Sequence, residues 1–270
     1  MLAAALLVFR ETLEAGLVTG IVLAATRGVA GSRGAITMGM LAGLLGACLV
    51  AAFAGAIADA FQGAGQELFN AIVLGVAVLM LAWHVLWMSR HGRELTEHLR
   101  GVGQAVAQGI RPPSLLAVVV GMAIMREGSE IVLFLLGISV SGQDSTARLA
   151  IGSALGLACG VALAGAIYQG LARLSSRWLL QVTGVLIMLL AAGLSAQAAG
   201  FVQAAGFFQD MAMPLWDTSW LLSSEGLAGH AMRALAGYTD RPSTLQVLVW
   251  LATFAALLLG GRLVAPARPA

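Results

Sequence analysis

Residues 6–20 read Leu-Leu-Val-Phe-Arg-Glu-Thr-Leu-Glu-Ala-Gly-Leu-Val-Thr-Gly, three charges set inside an apolar run that spans residues 2–26. About 20 such residues in a helix cross the hydrocarbon core of a bilayer. A charge at that depth costs on the order of 2.5–3.5 kcal/mol on insertion scales, so Arg10, Glu11 and Glu14 call for a reason. The pattern returns in the run 114–139 as Arg126-Glu127-Gly128-Ser129-Glu130.

The rest of the chain avoids charge. Of 270 residues, 59% are hydrophobic and 10% charged, and the mean hydropathy is +0.90. A soluble domain carries roughly 25% charged residues, so membrane lipid must be the solvent for most of this surface. A net charge of +2 without a basic cluster excludes nucleic acid as a partner. Cys48 and Cys159 lie in apolar runs with no CxxC or Cys/His spacing, which suits small packing residues better than a disulfide or zinc site. The N-terminus lacks the basic region of a cleavable signal.

Apolar runs at 2–26, 35–58, 67–88, 114–139, 148–170, 178–199 and 244–262 predict an all-α integral membrane protein of seven transmembrane helices. Arginine placement orients it. Alternate joins hold Arg27 and Arg33, then Arg90, Arg93, Arg100 and Arg111, then Arg173 and Arg177, then Arg262 and Arg268. The opposite joins hold Arg148, Arg233 and Arg241 among more numerous acids, so the expectation is N-out and C-in.

Spans 1–3 resemble spans 4–6. Beyond the charged motif, Ala54-Gly55-Ala56-Ile57 recurs as Ala164-Gly165-Ala166-Ile167, and Gly75-Val76 has a counterpart in Gly184-Val185. An odd number of spans per unit inserts the second copy upside down, an architecture of transporters with a midplane site. The expected organisation is a first three-helix repeat (1–88), a cytoplasmic loop (89–113), an inverted second repeat (114–199), a periplasmic loop (200–243), and a seventh helix with its tail (244–270). Small residues every fourth position, Gly39 to Gly55 and Gly152 to Ala164, predict close helix packing.

At about 100° per residue, Arg10, Glu11 and Glu14 share one helical face, as do Arg126, Glu127 and Glu130. Ion pairs at i,i+4 join Arg10 to Glu14 and Arg126 to Glu130, leaving Glu11 and Glu127 without an arginine. Four carboxylates and two guanidinium groups make a formal −2 centre, suited to a hard cation such as calcium, magnesium, manganese or iron.

A duplicated RExxE in the first and fourth of seven helices resembles the oxidase-coupled high-affinity iron permease family. The likeness extends to Trp216-Asp217-Thr218-Ser219 and Gly237-Tyr238-Thr239-Asp240-Arg241-Pro242 in the last long loop. It implies that Glu11, Glu14, Glu127 and Glu130 bind iron in transit while Arg10 and Arg126 orient and balance them. It further implies a multi-pass permease of the bacterial cytoplasmic membrane, with no permanent cofactor, iron as substrate, and a periplasmic oxidase or delivery protein as partner.

Other residues are weaker candidates. His84, placed near the inner end of span 3, is set between lining an exit path and plain packing. Asp59 and Glu67 flank an external turn and either collect cations or are simply solvated. Asp217 either takes part in iron hand-over or caps a short interfacial helix, with Trp216 and Trp220 as interface anchors. His91, Glu94 and His98 belong to a surface amphipathic helix. Competing functions are transport of another divalent cation, such as manganese or lead, and a glutamate-dependent intramembrane peptidase. The second is disfavoured by the lack of HExxH or GxSG motifs.

Overall fold

The computed structural model describes residues 1–60, 66–140, 145–170, 176–224 and 226–264. These form α1 (Leu2–Ala25), α2 (Ser32–Ala60), α3 (Gln66–Ala107), α4 (Ser114–Val140), α5 (Thr146–Tyr168), α6 (Ser176–Ala204), α7 (Leu227–Ala236) and α8 (Thr244–Val264). Stretches of α2, α3, α5, α6 and α8 are long and apolar enough to cross a membrane. The 24-residue α1 and 27-residue α4 match them in length and differ by the three charges each carries at its middle.

Segment 89–113, expected as a cytoplasmic connection with a surface helix at His91, Glu94 and His98, is helical as far as Ala107 and continues α3 without a break. No proline interrupts 66–107, and Leu99 and Val106, seven residues apart, give the extension a buried stripe. At 1.5 Å per residue this helix is about 63 Å long, roughly twice a hydrocarbon core. Pro112-Pro113 then opens α4.

The small-residue stripes act as expected, and they pair α2 with α4 and α5 with α1. On α2, Gly39 faces the Ala117 backbone, Gly43 faces Gly121 and Ile124, and Ala47 lies against Gly128 of α4. On α5, Gly152 faces Met1, Gly156 faces Ala5 and Phe9, and Gly160 faces Thr12 of α1. Both pairs are therefore parallel. Two apolar clusters show that α1 and α4 run antiparallel. One joins Ala3, Ala4 and Leu7 at the start of α1 to Phe134 and Ile138 at the end of α4. The other joins Val22 near the end of α1 to Leu116 and Val120 at the start of α4, with Leu99 and Val106 of α3 packed in.

The outward faces are apolar: Leu41, Leu45, Leu49 and Phe53 on α2 and Trp83 on α3 are exposed. Cys48 and Cys159 are exposed too, contrary to their expected place in the packing. The adjacent positions Ala47 and Gly160 take the contacts with α4 and α1, and the thiols turn outward.

Candidate metal centre

The charged motifs lie between the two apolar clusters, on the facing sides of antiparallel α1 and α4. Arg10, Glu11, Glu14, Glu127 and Glu130 are all buried, Glu11 completely. The i,i+4 pairs form as the spacing predicts: Arg10 Nη2 to Glu14 Oε1 at 2.9 Å, and Arg126 Nε to Glu130 Oε1 at 3.1 Å. Arg10 also donates through Nη1 to Glu11 Oε1 at 3.2 Å, so Glu11 does have an arginine after all. A guanidinium presents several N–H groups in a planar fork, and i,i+1 neighbours fall within its span.

The two arginines are not equivalent. The Arg10 side chain is 4% exposed and that of Arg126 36%, and the Arg126 guanidinium lies over the Trp87 ring at 4.5 Å. Cation–π attraction thus holds the second arginine towards the edge of the cluster.

His84 is the residue whose place the sequence reading misjudged. It is buried at the heart of the cluster, with Nε2 3.4 Å from Glu14 Oε2 and Nδ1 against Glu130 Oε2. It bridges one carboxylate from each motif. A span ending at residue 88 put His84 at an interface, whereas α3 runs 23 residues past it. The available signal was a histidine flanked by Leu81, Ala82, Val85 and Leu86, a polar ring in an otherwise apolar stretch.

Donor atoms of Glu11, His84, Glu127 and Glu130 all lie within 4.8 Å of one another. Ligands on opposite sides of an ion with bonds of about 2.0–2.6 Å are separated by about 4–5.2 Å, so one cation fits among them. Glu11 Oε2 and Glu127 Oε2 are buried without a hydrogen-bond partner, and a buried carboxylate oxygen without a donor is costly. A bound cation would remove that cost. Glu14 stands just behind this group, held by Arg10 and touching His84.

Glu67 and Asp217 do not join the cluster. The Asp59 side chain lies outside the described residues. Glu67 is exposed in the first turn of α3, 17 positions from His84, or about 25 Å along the helix. Asp217 is exposed and closes a turn: Oδ1 accepts from the Ser219 N–H at 2.9 Å and its hydroxyl at 2.6 Å, and Oδ2 accepts from Arg241 Nε at 2.9 Å. The Ser219 hydroxyl and N–H, then Arg241, hold its carboxyl below the ordinary carboxylate range.

The two loop segments that carried the family likeness are stitched to each other. The Thr218 N–H donates to Asp240 O at 2.9 Å, its hydroxyl meets the Tyr238 hydroxyl at 2.7 Å, and Tyr238 donates to Leu222 O. Gly237, with φ at 68°, ends α7 and packs directly on Gly193 of α6, a contact with no room for a Cβ on either side.

The Iron permease FTR1 family matches residues 1–267. The chain is 32% identical over 251 residues to a protein named ferrous iron permease EfeU from Yersinia pestis, covering 91% of this chain and 87% of that one. It is equally similar, over 248 residues, to the protein of the same name from Escherichia coli O157:H7, covering 91% and 89%. No solved structure matches.

Proposed function

This chain belongs to the iron permease FTR1 family, and from that membership we propose that it imports ferrous iron across a bacterial cytoplasmic membrane through the carboxylate cluster between α1 and α4. The observation that carries the proposal is the gathering of Glu11, Glu127 and Glu130 with His84 within 4.8 Å, at the middle of the two charged helices. The names of the relatives, which are bacterial, favour the ferrous ion.

In this reading α1 and α4 complete a set of seven membrane spans, their charges turned inward and away from lipid. The antiparallel course of α1 and α4 supports an inverted repeat of three helices plus α8. Arg27, Arg33, Arg100 and Arg111 gather at the end where α1 finishes and α4 starts, which favours that end as cytoplasmic. Iron binds at the midplane, Arg10 and Arg126 balance the carboxylates, and one repeat moves against the other to alternate access. A periplasmic oxidase or delivery protein would approach from the side of the 205–243 loop.

The test is radiolabelled iron uptake by the purified chain in proteoliposomes, under anaerobic ferrous and under chelated ferric conditions. Uptake of ferrous iron, competed poorly by calcium and magnesium, is expected. Manganese uptake undiminished by excess ferrous iron would contradict it.

A further inference from the structure

We propose that His84 is an iron ligand through Nδ1, oriented by Glu14, and that this nitrogen donor is what makes the site prefer ferrous iron to harder cations. The inference rests on the transport reading above and assigns a residue outside the duplicated motif. Four observations lead to it. His84 is 1% exposed, so its polar ring has no recourse to water. Its donor nitrogen lies within 4.8 Å of donor oxygens of Glu11, Glu127 and Glu130, and two of those carboxylates keep a buried oxygen without a partner. Its ring is used on both edges: Nδ1 faces Glu130, a member of that group, while Nε2 faces Glu14, which is not. A carboxylate behind a histidine is the arrangement that fixes the tautomer and plane of a ligating imidazole, and it gives Glu14 a different task from Glu130 despite their matching places in the motif.

The fourth observation is an asymmetry. In the register that aligns Gly75-Val76 with Gly184-Val185, the position equivalent to His84 is Gly193. That glycine is occupied by its contact with Gly237 and brings nothing to the cluster. The carboxylates are thus supplied twice and the nitrogen once. A site built of oxygen alone binds calcium, magnesium and manganese readily, whereas an imidazole nitrogen favours the later divalent ions, iron among them.

The test is iron K-edge X-ray absorption on the tag-free full-length protein loaded anaerobically with ferrous iron in detergent. Imidazole scattering from the native site is expected. It should persist when His91, His98 and His230 are all changed to Gln and vanish in His84→Gln, and that variant should bind ferrous iron about tenfold more weakly or worse while manganese binding changes less. Bound iron with an oxygen-only shell in the native protein overturns the assignment of His84 and leaves the carboxylate site standing. A native protein that binds no ferrous iron overturns both. The native and triple-variant spectra together decide the matter even if His84→Gln fails to fold.

Discussion

Glu14 and Glu130 occupy the same place in two copies of one motif, yet the structure surrounds them differently. Glu130 meets Arg126 and His84 beside the other donor atoms, whereas Glu14 is clasped by Arg10 and touches the far edge of the His84 ring. Shortening Glu14 to Asp should pull its carboxylate off the ring and lower ferrous affinity about tenfold or more, the usual cost of losing a partner behind a ligand; titration of purified protein checks this. The motif spacing alone predicted both i,i+4 pairs, because helical geometry fixes them. It did not predict the reach of Arg10 to Glu11 or the role of His84, because both depend on how α3 lies against α1 and α4. At the exposed end of the scale, Asp217 has its carboxyl depressed by Ser219 and Arg241. A depressed carboxyl stabilises the loop above the usual carboxylate range and loses that effect only as pH falls through the lowered value. Tryptophan fluorescence of the native chain should therefore stay flat down to about pH 4 and change below it, a transition that Asp217→Asn removes.

Helix pairing rests on glycines that sit against backbone. A Cβ at Gly156 would fall 2.9 Å from Phe9 N, whereas one at Gly165 would meet open space. Gly156→Val should therefore push α5 off α1 and destabilise the fold by about 1–3 kcal/mol. Gly165→Ala should be neutral or stabilising by up to about 1 kcal/mol through helix propensity. Thermal unfolding in detergent distinguishes them, and equal effects at both sites would refute this packing. The fourth-residue spacing made the stripes legible from the sequence, but which helices they joined was not: α2 with α4 and α5 with α1 are pairings between helices distant in the chain, which no local pattern encodes. That the helix expected at His91, Glu94 and His98 is one with α3 was not legible for a related reason. Charges at Arg90, Arg93, Arg100 and Glu94 resemble a loop in composition, while the buried spacing of Leu99 and Val106 keeps the segment helical.

Over the whole molecule, the arginine-rich end and the antiparallel course of α1 and α4 make a sidedness prediction. With Cys48 and Cys159 replaced by Ser, Ala30→Cys in the α1–α2 turn should react with an impermeant maleimide only after the membrane is breached. Met213→Cys, in the loop before α7, should react in intact cells; the reverse pattern would invert the topology. Composition and hydropathy sufficed for a multi-pass helical protein, and the duplicated motif picked out the carboxylates that α1 and α4 bring together. The sequence stopped short where three separate helices contribute to one cluster, since His84 carries no motif of its own. The central claim is that the carboxylates between α1 and α4 hold iron in transit. Its most direct test compares ferrous uptake by proteoliposomes holding equal amounts of the native chain, Glu11→Gln, Glu127→Gln and the exposed control Glu67→Gln. Uptake should fall to background in the first two variants and stay at the native level in the third. Native-level uptake by either Glu11→Gln or Glu127→Gln would contradict the account.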